Sequence, residues 1–197
     1  MTKPDPTLDL LFDAVVNLNI RWRCFQDVFQ SDQRVGVFSE AGIGIWEVLQ
    51  ECTLDALLMD ISRLMDPSTM KGRTNLSLDL VIPSVPRTGF TEDLDAQLQA
   101  AREIFTELIQ PWRNRRLGHN DLEAFNNKKP LPDIPYDRIR DLVALINKIA
   151  RGIALTVREV DQTFVPVIAG SDWAAKLFLV LKAGVEQCNQ RLTRLTK

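Results

Sequence analysis

One stretch of this sequence gathers side chains able to move protons and hold anions. Pro111-Trp112-Arg113-Asn114-Arg115-Arg116-Leu117-Gly118-His119-Asn120-Asp121 contains the single histidine of the 197-residue chain, beside three arginines. Histidine has an unperturbed pKa of about 6.5, so it can both take and give a proton near neutral pH. Guanidinium is a permanent forked cation suited to phosphate. A phosphoryl centre is therefore the substrate class these residues suggest.

Geometry limits how they can cooperate. At about 100° and 1.5 Å per residue, Arg113 and His119 lie roughly 120° and 9 Å apart on a regular helix and do not share a face. Arg115 and Arg116, four and three positions before His119, are its helical neighbours, and two cations there lower a histidine's pKa. Either Arg113 reaches round, or Gly118 ends or loosens the helix, or a second chain completes the site.

An arginine followed by asparagine, then a histidine with five residues between Arg113 and His119, resembles the motif of the HEPN superfamily. Upstream, Ile61-Ser62-Arg63-Leu64-Met65-Asp66-Pro67 followed by Asn75-Leu76-Ser77-Leu78 is similar to the segment preceding that motif in the abortive-infection (AbiU-type) branch. The similarity spans roughly residues 38–125. It implies an all-α fold and metal-independent RNA cleavage, in a toxin-like or phage-defence ribonuclease that works as a homodimer and is restrained by an antitoxin or regulatory partner. His119 would be general acid/base, Arg113 would stabilise the phosphorane charge, and Asn114 would orient one of them or bind phosphate. Arg115 and Arg116 are solvated charges unless RNA lies across that face, in which case they bind it. Some members are regulated at a tyrosine two places after the histidine; Asp121 stands there, so that control is expected to be absent. The competing reading is a catalytically silent HEPN module that binds nucleotide, RNA or a protein partner, and Gly118, where the family often has alanine, could disturb the motif helix. His119 by itself also suits a helix C-terminus, where imidazolium complements the dipole.

Composition narrows the choice. Net charge is −2 and pI about 5.5, so no global positive field draws the chain to nucleic acid or an anionic membrane, and RNA contact must come from a local basic patch. Cys24, Cys52 and Cys188 are widely spaced, odd in number and lack CxxC spacing, which predicts reduced thiols in a cytoplasmic protein and no zinc site. One histidine also argues against a metal centre of nitrogen ligands. No cofactor is expected. The N-terminus carries Lys3 and then Asp5, Asp9 and Asp13, which is not the order of an export signal, and no uncharged run is long enough for a membrane span.

Hydrophobic periodicity predicts the elements that must hold the motif: an all-α bundle of about five long helices in a single HEPN-like domain over 1–197. A first helix over roughly 6–30 repeats Leu8, Leu11, Phe12, Val15, Trp22, Phe25 and Phe29, with Ser31-Asp32-Gln33 and Gly36 as its exit. A second, roughly 38–66, is the most apolar and is expected to be central, with Leu54, Leu57, Leu58, Ile61, Leu64 and Met65 on one stripe; it ends before Pro67. Its Gly42-Ile43-Gly44 reads as close helix packing rather than a phosphate loop, for no strand precedes it. Arg63 and Asp66 are spaced as an intrahelical ion pair that fixes the loop, the alternative being that they line the site.

Residues 67–90 read as a long connection with at most a helical turn near Leu76–Val81. A third helix from Thr91 faces Leu94, Leu98, Ala101, Phe105, Leu108 and Trp112 inward, and Pro111 should kink or divide it. A fourth, roughly 136–163, carries Ile139, Leu142, Val143, Ile146, Ile149, Ile153, Val157 and Val160. A fifth, roughly 171–195, is expected to bury Trp173, Leu177, Leu181, Cys188 and Leu192. The four tryptophans read as core, and no segment alternates long enough for a strand.

Overall fold

The computed structural model describes residues 6–86, 89–117, 131–164 and 173–195. The chain is all-α. Its long helices are α1 (Pro6–Phe29), α2 (Asp32–Met65), α4 (Gly89–Ile104), α6 (Tyr136–Arg158) and α7 (Trp173–Leu195). Between α2 and α4 lie a two-stranded hairpin, β1 (Thr69–Met70) with β2 (Arg73–Thr74), and a single turn, α3 (Leu78–Val81). After α4 the chain keeps winding: a π-helical turn at Phe105–Ile109, a short α5 (Gln110–Trp112), and a second π-helical turn at Arg113–Leu117. By contact the chain divides into two compact units, Met1–Asn19 with Leu57–Val165, and Ile20–Ala56 with Pro166–Lys197.

The first unit holds the candidate site. Its core is the stripe on α6, with Ile139, Leu142, Val143, Ile146, Ile149 and Ile153 all buried, as three-and-four spacing on a helix requires. Leu94, Leu98 and Ala101 of α4 and then Phe105 and Leu108 are buried in the same unit. The two helices meet at Gly152, where a Cβ would stand 2.6 Å from Leu94 Cδ2, so any larger residue there makes the leucine side chain shift. From α1, Leu8, Leu11, Phe12, Val15 and Leu18 are buried; from the end of α2, Leu57, Leu58, Ile61, Leu64 and Met65. Polar links tie α1 to α6. Asn19 and Asn147 exchange amide hydrogen bonds of 2.7 and 2.9 Å, and Arg158 pairs with Asp9 while lying 4.8 Å from the Phe12 ring.

Helix α6 stops at Arg158 rather than near 163, because Glu159 takes the left-handed conformation (φ 56°, ψ 26°) and its N–H closes the end on the Leu155 carbonyl. Val157 and Val160, expected inside, are exposed.

In the second unit the gap between α1 and α2 is shorter than expected. Asp32 opens α2 directly, the Val35 N–H bonds the Ser31 carbonyl, and Gly36 lies inside the helix rather than at an exit. Nor do Gly42 and Gly44 serve close packing, since nothing stands within 4 Å of a Cβ placed at either. Gly42 instead breaks α2 with φ 161° and ψ 79°. On an unbroken helix Phe38 and Trp46 would be about 12 Å apart along the axis. Their rings stack at 4.1 Å, so the chain turns back on itself there. Ile45, Val48 and Leu49 are exposed, which confines the central role expected of α2 to its last turns. On α7, Cys188 and Leu192 are exposed although they fall on the apolar stripe. Of the four tryptophans only Trp22 is buried, at 7% exposure.

Candidate functional site

The described part of the motif, as far as Leu117, continues the α4–α5 column, and Pro111 shapes that column. Proline has no N–H for the carbonyl four residues back and clashes with it in an α-helix. Here the turn before Pro111 widens to i→i+5 bonding, with the Gln110 N–H on the Phe105 carbonyl, so the helix continues instead of ending. The wide turn at Arg113–Leu117 also replaces the regular 100° step on which the separation of Arg113 from His119 was reckoned. Trp112 fixes the column to the segment before α6, since its indole N–H donates to the Pro132 carbonyl at 2.8 Å.

Arg113 is anchored from outside its own column. Its Nη2 lies 2.8 Å from Asp66 Oδ1 and donates a 2.9 Å hydrogen bond to Oδ2. The same nitrogen is 3.9 Å from Met70 Sδ on the hairpin. Asp66, 8% exposed, is the first residue past α2. It pairs with the motif arginine rather than with Arg63, which turns to Asp60 instead. The local i,i+3 partner loses because Arg63 is solvent-exposed, where an ion pair gains little, while Asp66 is buried and needs a cation that can follow it inside. Burial pushes the Asp66 carboxyl above its ordinary pKa, and the Arg113 charge and hydrogen bond pull the other way.

Asp79, on α3, fixes the start of the connection by accepting the Ser68 backbone N–H at 3.0 Å and pairing with Arg102 of α4. The Asn75 amide donates to the Pro67 carbonyl at 2.8 Å, and its N–H to the Ser68 carbonyl at 2.8 Å. These bonds close residues 67–75 into a small loop whose tip is the hairpin beside Arg113. Of the other predicted site residues, Asn114 is exposed and Arg115 half-buried, while Arg116 sits 5.1 Å from the Trp112 ring as a cation over an aromatic face. His119 and Gly118 lie outside the described residues.

The AbiU2 family model of the HEPN class matches residues 2–163. The chain belongs to the HEPN AbiU2 family. That match takes in the whole motif region, the hairpin and Asp66, and makes the chain a HEPN-type domain of the abortive-infection kind. No match was found among curated proteins or among solved structures. Among the described residues, no helix is long and apolar enough to cross a membrane.

Proposed function

We propose that this HEPN AbiU2 domain is a metal-independent endoribonuclease of toxin or phage-defence type, using Arg113, Asn114 and His119. The observation that carries the reading is the state of Arg113. Its Nη2 is held by buried Asp66, while among the described residues Nη1 and Nε have no partner. A guanidinium fixed on one arm and open on the others is oriented in advance for a phosphate, which is how a cation contributes most to stabilising a developing oxyanion.

In the reaction proposed, a general base takes the proton of the ribose 2′-hydroxyl, that oxygen bonds to phosphorus, and the bond from phosphorus to the 5′-oxygen breaks. A general acid protonates the leaving oxygen, and a cyclic phosphate remains on the upstream fragment. His119 serves one of these proton transfers and Arg113 faces the phosphorane. A homodimer with its two-fold axis at the motif would supply the second histidine and a second arginine to one cleft.

Labelled single-stranded RNA incubated in EDTA with wild type, His119→Ala and Arg113→Ala tests this. Wild type alone should cleave and leave cyclic phosphate ends. Equal cleavage by all three, or by none, would sink the nuclease and leave the second reading, a silent module binding nucleotide, RNA or a protein partner. That reading draws its support from the same pair, since Asp66 offsets the charge of Arg113.

A further inference from the structure

The hairpin beside Arg113 is built at a local cost. Met70 pairs with Arg73 and Thr69 with Thr74, leaving Lys71-Gly72 as a two-residue turn with φ of 51° and 76°. Such a turn needs positive φ at both positions, which asparagine or glycine adopts readily and lysine does not. Lys71 therefore occupies the position least suited to it.

Its surroundings point to a reason. Lys71 and Arg73 are both exposed, and among the described residues neither has an ion-pair partner. Directly paired residues of a hairpin project from the same face. Arg73 thus projects from the face whose Met70 Sδ reaches Arg113 Nη2. The six residues 69–74 hold two cations and no acid. The hairpin beside Arg113 thus carries two positive charges with no ion-pair partner among the described residues, in a chain whose net charge is −2.

We infer that the 69–74 hairpin is a phosphate-binding lip of the site, with Lys71 and Arg73 gripping the backbone of single-stranded RNA as it passes Arg113. The inference rests on the RNA reading proposed above. The hairpin's closure by Asn75, Ser68 and Asp79 gives the two cations a fixed base, and Arg102 ties that base to the motif-bearing column.

Binding of a labelled single-stranded RNA to full-length His119→Ala, followed by anisotropy across a salt series, tests it without cleavage. In that background, Lys71→Asn combined with Arg73→Gln should weaken binding about tenfold and flatten the slope of log affinity against log salt by about 0.7 for each cation removed. Lys71→Asn suits the turn better, so its thermal midpoint should match or exceed that of the parent, separating lost binding from lost folding. Lys71→Arg with Arg73→Lys should restore the slope. Unchanged affinity and slope in the neutralised hairpin would overturn the lip while leaving RNA binding intact. Failure of the His119→Ala parent to bind RNA at all would overturn the lip together with the reading beneath it.

Discussion

Arg113 and Asp66, 47 residues apart in sequence, form a partly buried ion pair that joins the motif column to the end of α2. Removing one partner should cost more than the pair is worth, because a charge is left behind in a poorly solvated place. Arg113→Ala is expected to lower stability by about 2 kcal/mol at neutral pH, with Asp66→Asn in the same chain recovering most of the loss. Chemical denaturation of the single and double variants measures this.

The same pair fixes a pH dependence. The folded pKa of Asp66 lies above its unfolded value, so between those values the folded state binds more protons and stability falls as pH rises through the window. Arg113→Ala removes both influences that lower that pKa, which pushes the window further up. Its deficit relative to wild type should therefore shrink on acidification from neutral pH toward the ordinary carboxylate range. A deficit constant over that range would show that Asp66 is not the group left stranded.

Asn19 is 5% exposed and gives its amide hydrogens to the Val15 carbonyl and to Asn147. Asn19→Ala leaves the half-buried Asn147 amide without its partner, and Asn147→Ala strands the buried Asn19 amide; each should cost about 1–3 kcal/mol. Urea midpoints for Asn19→Ala, Asn147→Ala and the double variant form a cycle, and strict additivity would contradict the pairing.

Gly152→Ala sets two effects against each other. Alanine favours a helix interior by about 1 kcal/mol over glycine, but its methyl would meet Leu94 at 2.6 Å in a packed interior. Overpacking of this kind costs about 1–3 kcal/mol, so a net loss is expected. Leu94→Val alongside Gly152→Ala should restore part of it, and a thermal midpoint raised by Gly152→Ala alone would show the contact yields easily.

If two chains share one cleft, light scattering should report about twice the 22.4 kDa chain mass. Mixed dimers pairing wild type with Arg113→Ala/His119→Ala should then retain well under half of the wild-type cleavage. Retention near half would mean that each chain works alone.

The helices that carry the site were legible where an apolar stripe runs unbroken and is covered along its length, as on α4 and on α6 as far as Ile153. The stripe on α7 has the same period, yet Cys188 and Leu192 are exposed, for periodicity records which face could be buried and not whether anything covers it. Gly42 was visible but its effect was not: a glycine pair suits close packing and chain reversal alike, and the stacked rings of Phe38 and Trp46 decide between them. At the candidate site, Asp66 read first as the partner of its sequence neighbour Arg63, with lining the site as the alternative. Local spacing cannot reveal that burial draws a carboxylate to a distant guanidinium. Lys71-Gly72 was hidden because strands of two residues are too short for alternation to register.

The widened turn at Phe105–Ile109 also holds one residue more than an α turn would in about the same revolution. Deleting a single residue there would let the helix close normally and leave everything beyond it facing nearly the same way. The same deletion in the regular α4 would swing the motif by about 100° around the axis, carrying Arg113 away from Asp66. The wide turn is thus a slack place in the column, where a change by one in the count of residues is absorbed before it reaches the motif.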